Sequence, residues 1–214
     1  LILSFKEMND LSDNKITKNS KVILPVHMLG VATDMNKIMK LSKEKNLKIL
    51  EDNCESLGAK FDGKYLGTIG NVGAFSFDFG KVITTGEGGM VTTNDQKIDK
   101  FAREYHDHGH ENNPNFPRGK DTKTIYGFNY RMTELQGAIG KIQLSKLDFI
   151  IKNNKLRYEA LLNSMGKNFN LRKITKNSEI IFDTLIFFEE NENLRNKIVQ
   201  HLKKQGFGTK NLPD

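Results

Sequence analysis

The chain has 214 residues, of which 37% are hydrophobic, and its formal net charge is +7. Such a length and apolar content supply a folded core for one or two domains, which excludes a disordered chain. The apolar runs are too short to span a bilayer and no signal-peptide pattern opens the chain, so we expect a cytoplasmic protein without a membrane partner. The lysines are spread along predicted helices without interleaved aromatic residues, which argues against nucleic-acid binding but is compatible with anionic substrates.

The first elements of the chain alternate between strand and helix. Residues 21–26 and residues 47–50 are predicted strands, and the segment between them is a predicted helix that Thr33 caps. Its helical spacing is carried by Met35, Ile38, Met39 and Ser42. A strand, a crossover helix and a second strand form one unit of a parallel sheet, so we predict an α/β fold.

Two acidic residues follow the second predicted strand. Glu51 and Asp52 come directly after residues 47–50. Open α/β sheets bind their ligands at the carboxyl ends of the strands, so this pair is a candidate for a binding site. Cys54, the only cysteine of the chain, lies in the same predicted turn. We interpret it as a small packing residue rather than as a reactive thiol.

Lys81 lies between a predicted strand at residues 72–77 and a glycine-rich turn, which a further predicted strand at residues 89–93 follows. The common explanation for such a lysine is that its amine reaches water beyond the strand end. Apolar surroundings, however, disfavour the charged form of an amine and make it nucleophilic. An amine and an acid at one sheet edge could form a plain salt bridge or hold the two ends of a cofactor. Ser76 and the glycines favour the cofactor.

The middle of the chain contains a predicted helix and a polar loop. The helix begins after Asp95 and shows apolar positions at helical spacing, and a loop at residues 106–123 follows it. Three histidines lie in this loop, at His106, His108 and His110. An irregular segment does not bring alternating imidazoles together, so we predict no metal site.

Thr133 and Gln136 form a capping-box pattern, which predicts that a helix begins here. Asn129 then lies just ahead of a helix N-terminus, and such a location favours contact with an anion such as phosphate. The alternative is an asparagine that only forms the turn.

The last part of the chain continues with helix and strand patterns. The helical pattern reaches about residue 164. A predicted strand at residues 180–188 and a predicted helix at residues 194–205 then form a pair that Gly206 closes. Asp183 interrupts the otherwise apolar run of this predicted strand.

These segments together resemble the DegT/DnrJ/EryC1/StrS family of sugar aminotransferases, which are fold-type-I enzymes dependent on pyridoxal phosphate. The resemblance covers most of residues 22–162, in several separate blocks and in the right order. The blocks are ILPVHMLG (23–30), EDNCESLGA (51–59), GAFSFDFGK (73–81), TTGEGGMV (84–91) and YGFNYRMTELQGAIG (126–140).

The resemblance implies an α/β fold with a three-layer large domain like that of aspartate aminotransferase, containing a mostly parallel sheet, followed by the start of a small α+β C-terminal domain. We expect residues 1–144 to be a partial cofactor-binding large domain. Residues 145–214 would be the connecting helix and a partial small domain. Family members begin earlier, with a glycine-rich phosphate loop and an aromatic residue that stacks on the cofactor, and they also continue further. We therefore expect this chain to be an internal fragment of a longer protein.

The resemblance also implies a role for each of five residues. Lys81 would form the Schiff base with pyridoxal phosphate and then move the proton. Asp52 would pair with the protonated pyridine nitrogen, which makes the ring an electron sink. Ser76 would bind the phosphate, and Asn129 would contact the phosphate of the neighbouring subunit, so the enzyme would be a homodimer. Glu55 takes the place where many relatives carry a glutamine against the cofactor ring, and its role is open.

Amino transfer, with glutamate as donor and a keto sugar as acceptor, is the function that the resemblance implies, in the biosynthesis of a cell-surface polysaccharide such as lipopolysaccharide. The acceptor is a nucleotide-linked keto sugar, which we slightly prefer, or an oxidised octulosonate sugar acid. Dehydratase members of the family replace the lysine by histidine, so Lys81 favours amino transfer over deoxygenation. The alternatives are such a dehydratase, or a non-catalytic regulatory or interaction protein on the same scaffold.

Overall fold

The computed structural model describes residues 16–117, 119–165 and 169–209. Three small sheets and five α-helices make up this part of the chain. The strands are β1 (Val22–Ile23), β2 (Lys48–Asp52), β3 (Lys60–Phe61), β4 (Lys64–Tyr65), β5 (Val72–Ser76), β6 (Gly89–Thr93), β7 (Asn170–Leu171), β8 (Ser178–Glu179) and β9 (Phe187–Phe188). The helices are α1 (Met35–Lys45), α2 (Gln96–His106), α3 (Glu134–Ser145), α4 (Leu147–Ser164) and α5 (Glu192–Lys204).

The central sheet has the strand order β1-β2-β5-β6. Strands β1, β2 and β5 are parallel, which confirms the predicted α/β fold, whereas β6 is antiparallel to β5. The direction of β6 follows from its connection: residues 77–88 form a turn without a crossover helix, so the chain must reverse. Strands β4, β3 and β8 form a second sheet, and β7 pairs with β9.

Helix α1 packs on this sheet through Met35, Ile38 and Leu41, which are buried. The prediction that Thr33 caps this helix is wrong, because Asp34 is the N-cap and accepts the Lys37 amide at 3.3 Å. The Thr33 hydroxyl has other partners, since it lies 3.4 Å from Nδ1 of the buried His27 ring and 3.5 Å from Met35 Sδ.

One main hydrophobic core lies between α1 and the central sheet. Its buried side chains include residues of the second sheet and of the C-terminal part of the chain, so distant segments contribute to it. They are Ile23, Ala32, Met35, Ile38, Leu41, Leu47, Ile49, Ala59, Phe61, Leu66 and Ile181. A smaller cluster of Phe77, Ile83 and Leu147 lies under the turn that follows β5.

The C-terminal part differs from the sequence prediction in two respects. Residues 180–188 do not form one strand: only Phe187–Phe188 pairs as β9, while Ile180 and Ile181 are buried in irregular backbone. Phe182 has a φ of 57°, which interrupts an extended segment. The long predicted helix is also two helices, α3 and α4, which meet at Lys146.

Within the described residues, none of the helices combines the length and the apolar character that crossing a bilayer requires.

Candidate active site

The register of the central sheet places two of the predicted site residues on one face. Asp52, the last residue of β2, lies opposite Ala74 of β5. Side chains alternate between the faces of a strand, so Ser76, two residues beyond Ala74, shares the face of Asp52. Both residues end their strands at the carboxyl edge, where α/β sheets bind ligands.

Backbone contacts hold the two side chains in place. The Asp52 carboxylate accepts the amide of Cys54 at 3.0 Å through Oδ1. The Ser76 hydroxyl accepts the amide of Asp78 at 3.3 Å. Each of these bonds spans two residues, and such local bonds are typical of turns that aim a polar side chain outward from a strand end.

Glu51, the other acid of the predicted pair, is fully buried and structural. Its Oε2 accepts the amide of Gly67 at 2.8 Å, and its Oε1 accepts the amides of Ile69 and Gly70 at 2.8 and 2.6 Å. His27 Nε2 lies 3.2 Å from Oε2. Because Thr33 donates to His27 Nδ1, the ring proton lies on Nε2 and is donated to Glu51.

This network also sets the ionisation of Glu51. Burial raises the pKa of its carboxyl, but the hydrogen bonds from His27, Gly70 and Gly67 together outweigh burial, so the pKa lies below the ordinary value. A buried carboxylate that accepts four donors holds residues 67–70 against the end of β2. The network therefore fixes the strand end from which Asp52 projects.

Lys81 lies in the turn between β5 and β6, where its amide donates to the carbonyl of Asp78 at 3.0 Å. The turn rests on the apolar cluster of Phe77 and Ile83. Lys81 Nζ lies 3.7 Å from Glu55 Oε1, and the two side chains keep 23% and 31% of their surface exposed. The acid that pairs with Lys81 is therefore Glu55, which lies outside the pair of Glu51 and Asp52 considered from the sequence.

The charges of three site residues act on Cys54. Burial raises the pKa of the Cys54 thiol to about 11, and a hydrogen bond and the charge of Asp52 add to the rise. The charge of Lys81 opposes it and that of Glu55 adds to it. A thiol with such a pKa stays protonated at neutral pH, in agreement with its interpretation as a packing residue.

Asn129 has contacts with other residues. It forms an isolated antiparallel bridge with Asp107, and its Oδ1 accepts Arg131 Nε at 3.0 Å. Arg131 Nε also lies 3.4 Å from Asp107 Oδ1. In the part of the chain that the structure describes, no hydrogen bond or ion pair joins Asn129 to Lys81 or Asp52.

The helix after Asn129 confirms its predicted start. Thr133 and Gln136 exchange the two bonds of a capping box, with the Gln136 amide 3.2 Å from Thr133 Oγ1 and the Thr133 amide 2.9 Å from Gln136 Oε1. Gln136 Nε2 also donates to the carbonyl of Glu87 at 2.8 Å. This bond ties the start of α3 to the glycine-rich turn that follows Lys81.

Two charged residues near Glu55 were missed from the sequence. Arg172 Nη1 donates to the carbonyl of Met28 at 2.8 Å. Burial lowers the pKa of Arg172 to about 10. Although Asp183 keeps part of its surface exposed, desolvation of its carboxyl raises the pKa to about 6, and the charge of Glu55 adds to the rise. Of the two, only Asp183 could have been noticed in the sequence, because it is an acid inside an otherwise apolar run.

Among the described residues, no three His, Cys, Asp or Glu side chains group as ligands for a metal ion. His110 Nδ1 lies 2.8 Å from Asp121 Oδ1, and His106 Nδ1 lies 2.5 Å from the Arg103 carbonyl, so these two rings have protein partners.

The chemistry of the site suits a cofactor with an aldehyde, a phosphate and a basic ring nitrogen. Lys81 offers the amine, Asp52 a carboxylate, and Ser76 a hydroxyl, all at the carboxyl edge of a mostly parallel sheet. The solved structures with the same fold are fold-type-I enzymes dependent on pyridoxal phosphate. The chain belongs to the DegT/DnrJ/EryC1/StrS aminotransferase family, whose profile matches residues 8–212. The fold and the family expected from the sequence are thus confirmed.

Two relatives and one solved structure describe the similarity. GDP-perosamine synthase of Escherichia coli O157:H7 is 38% identical over 198 residues, which are 89% of this chain and 52% of that protein. GDP-4-keto-6-deoxy-D-mannose 3-dehydratase of Yersinia pseudotuberculosis is 34% identical over 212 residues, 92% of this chain and 54% of that protein. The structure of the E. coli GDP-4-keto-6-deoxy-D-mannose-3-dehydratase with bound hydrated pyridoxal phosphate is 29% identical, with a TM-score of 0.78, and the match covers 91% of this chain and 54% of that chain. The chain therefore spans about half the length of the relatives that it matches.

Proposed function

We propose that the whole protein transfers an amino group from glutamate to a nucleotide-linked keto sugar, with pyridoxal phosphate as its cofactor, for the biosynthesis of a cell-surface polysaccharide. The observation that carries this proposal is the Lys81 amine in the turn after β5, paired with Glu55 at the sheet edge where Asp52 ends β2. The similarity to GDP-perosamine synthase supports amino transfer. A nucleotide-linked substrate is also consistent with a cytoplasmic enzyme.

Each residue of the site has a distinct task in this proposal. Bound pyridoxal phosphate would supply an aldehyde for the amine and a ring that withdraws electrons from the reacting carbon. Lys81 Nζ would hold the cofactor and would then move the proton at the substrate carbon that gains or loses nitrogen. Asp52 would keep the ring nitrogen protonated, because a carboxylate favours the cation next to it. The Ser76 hydroxyl would donate to a phosphate oxygen.

Glu55 has a task that its contacts define. Its Oε1 faces Lys81 Nζ at 3.7 Å, and its Oε2 accepts the amide of Leu29 at 3.3 Å. The Leu29 bond fixes the carboxylate in one orientation, so Oε1 stays directed at the amine. We propose that Glu55 orients the Lys81 amine toward the bond that it has to form.

We further propose that a second copy of the protein completes the site. Asn129 lies on an exposed surface with Tyr126, which keeps 97% of its surface exposed, and with Phe128 and Tyr130. Exposed apolar side chains of this extent commonly mark an interface. The adjoining helices expose further apolar side chains, namely Leu135, Ile139, Ile142, Leu144 and Phe149. A partner on this surface would bring Asn129 to the phosphate of the partner's site.

The second candidate function is a dehydratase, because one relative with 34% identity removes an oxygen from its sugar. The two reactions differ in their product: amino transfer adds nitrogen to the sugar, whereas dehydration does not. Lys81 favours amino transfer, since an amine can both hold the cofactor and move the proton. A non-catalytic protein on the same scaffold would bind the cofactor and change neither substrate.

The experiment uses the whole protein, reconstituted with pyridoxal phosphate. Glutamate is added while the absorbance of the bound cofactor is followed, then GDP-4-keto-6-deoxymannose is added and the sugar product is analysed by mass spectrometry. We expect a spectral change with glutamate and an amino sugar as product, and we expect neither with Lys81→Ala. Lys64→Ala, at an exposed lysine of β4, is the matched control and should behave like wild type. A sugar that loses oxygen without gaining nitrogen would establish the dehydratase, and no spectral change with any amino donor would favour the non-catalytic protein.

A further inference from the structure

One peptide group near the site is bound at both of its ends. The carbonyl of Met28 accepts Arg172 Nη1 at 2.8 Å. The amide of Leu29 donates to Glu55 Oε2 at 3.3 Å. This carbonyl and this amide belong to the same peptide bond, so a cation binds its oxygen and an anion binds its hydrogen.

The other oxygen of Glu55 extends this arrangement to the reactive amine. Glu55 Oε1 lies 3.7 Å from Lys81 Nζ. The contacts therefore run from the Arg172 guanidinium through a peptide dipole to a carboxylate and on to an amine. Hydrogen bonds in such a chain polarise one another, because a carbonyl that accepts a hydrogen bond makes the N–H of its own peptide group a stronger donor. The peptide dipole points its positive end at Glu55, and Arg172 strengthens that dipole.

The backbone at this peptide is held in an uncommon conformation. Leu29 has φ 53° and ψ 46°, in the left-handed region, which is unfavourable for a residue with a Cβ. Gly30 follows with φ 75°, and a Cβ built there would lie 2.6 Å from Ile181 and 3.2 Å from the Asp183 carboxylate. Such backbone persists only where its surroundings determine it. Here the C-terminal segment closes on the turn through Arg172, Ile181 and Asp183.

We propose that Arg172 is a positioning residue for Lys81, acting through the Met28–Leu29 peptide and Glu55. By fixing the orientation of this peptide, Arg172 fixes the amide that holds the Glu55 carboxylate against the Lys81 amine. Asp183 and Ile181 support the same turn from the side of Gly30. The C-terminal segment thereby controls an amine that lies about ninety positions before it in the chain.

The direction of the effect separates this role from a direct influence of charge. A direct action of the Arg172 charge on Lys81 would be a repulsion between two cations, which favours reaction of the amine. The removal of Arg172 would then make the amine less reactive. Positioning through Glu55 has the opposite sign: once the carboxylate is released, the amine loses its anionic partner and becomes more reactive.

The test is trace labelling of the whole, cofactor-free protein with acetic anhydride at neutral pH. The rate at Lys81 is measured by mass spectrometry relative to Lys48, an exposed lysine of β2. We expect Arg172→Met to raise this ratio about twofold, and Glu55→Ala to raise it about two- to fivefold, the range that a partly exposed ion pair supports. In the Glu55→Ala background, Arg172→Met should change nothing further.

Two variants control this test. Arg172→Lys keeps a charged donor for the Met28 carbonyl and should restore the wild-type ratio, which covers the case that Arg172→Met does not fold. Lys173→Met removes a neighbouring exposed cation and should leave the ratio unchanged. An unchanged or lower ratio in Arg172→Met would overturn the proposal. An equal rise with and without Glu55 would also overturn it, since Arg172 would then act by another route.

The importance of this relay, the chain of contacts from Arg172 through the Met28–Leu29 peptide and Glu55 to Lys81, for catalysis rests on the proposed function. The test of the relay does not need bound cofactor. If Lys81 labelling responds as expected while Lys81 fails to bond pyridoxal phosphate, the relay stands and the proposed function fails. If Lys81 bonds pyridoxal phosphate but its labelling does not respond to Arg172→Met, the proposed function stands and the relay fails.

Discussion

The buried carboxylate of Glu51 permits a quantitative prediction. Glu51→Gln keeps the shape of the side chain but replaces one acceptor oxygen with a donor NH₂ group. The remaining oxygen can still accept the amides of Ile69 and Gly70. The new NH₂ group then faces two donors, the Gly67 amide and His27 Nε2, which bind Oε2 in the native protein at 2.8 and 3.2 Å.

The size of the effect follows from these two lost bonds. A buried donor without an acceptor costs about 1–3 kcal/mol, and bonds to a charged group lie at the upper end. Rotation of the His27 ring can relieve part of this, so we expect Glu51→Gln to lower the free energy of unfolding by about 2–4 kcal/mol.

Urea denaturation of the whole protein, followed by circular dichroism, measures this loss. Glu190→Gln, at an exposed glutamate, is the matched control and should stay within about 0.5 kcal/mol of wild type. The loss should also depend on pH. The folded pKa of Glu51 lies below its ordinary value of 4.5, so the carboxylate stabilises the protein above that value and stops doing so as the pH falls through the folded pKa. Equal stability of Glu51→Gln and wild type at neutral pH would refute this account of the network.

Three further predictions concern single positions. Gly73→Ala places a Cβ 2.2 Å from the Gly67 carbonyl oxygen and should lower the free energy of unfolding by about 3 kcal/mol. Gly137→Ala, in an open helical position, should raise the free energy of unfolding by about 0.5–1 kcal/mol. Similar urea midpoints for the two variants would contradict this. Asp34→Ala removes the cap of α1 and should cost about 1 kcal/mol in the same assay, and a loss below about 0.3 kcal/mol would mean that the cap contributes little. Because the pKa of Cys54 is about 11, its alkylation by iodoacetamide should be slow at neutral pH and accelerate up to about pH 11, and fast labelling at neutral pH would contradict the burial of the thiol.

The elements that could be predicted from the sequence are those that local interactions decide. Asp95 caps α2, and Thr133 with Gln136 starts α3, because each cap bonds to amides within three residues. Asp52 and Ser76 could be placed at one edge because parallel strands share their carboxyl ends. The roles of these residues and of Lys81 in chemistry remain proposals that rest on the family resemblance and on this geometry.

The features that escaped prediction depend on contacts between distant segments. Thr33 and Asp34 are both good caps, but the Thr33 hydroxyl lies against His27 while Asp34 accepts the Lys37 amide. Residues 180–188 read as a strand by composition, yet Ile180 and Ile181 fill the core without strand pairing. The contact of Arg172 with the Met28 carbonyl joins residues from opposite ends of the chain, and no local pattern indicates it.

The most direct test of the central claim is reductive trapping at Lys81. The whole protein is incubated with pyridoxal phosphate, reduced with borohydride, digested and mapped by mass spectrometry. We expect one cofactor adduct, on Lys81, which is lost in Lys81→Ala and kept in Lys64→Ala. An adduct on another lysine, or an undiminished yield in Lys81→Ala, would contradict it.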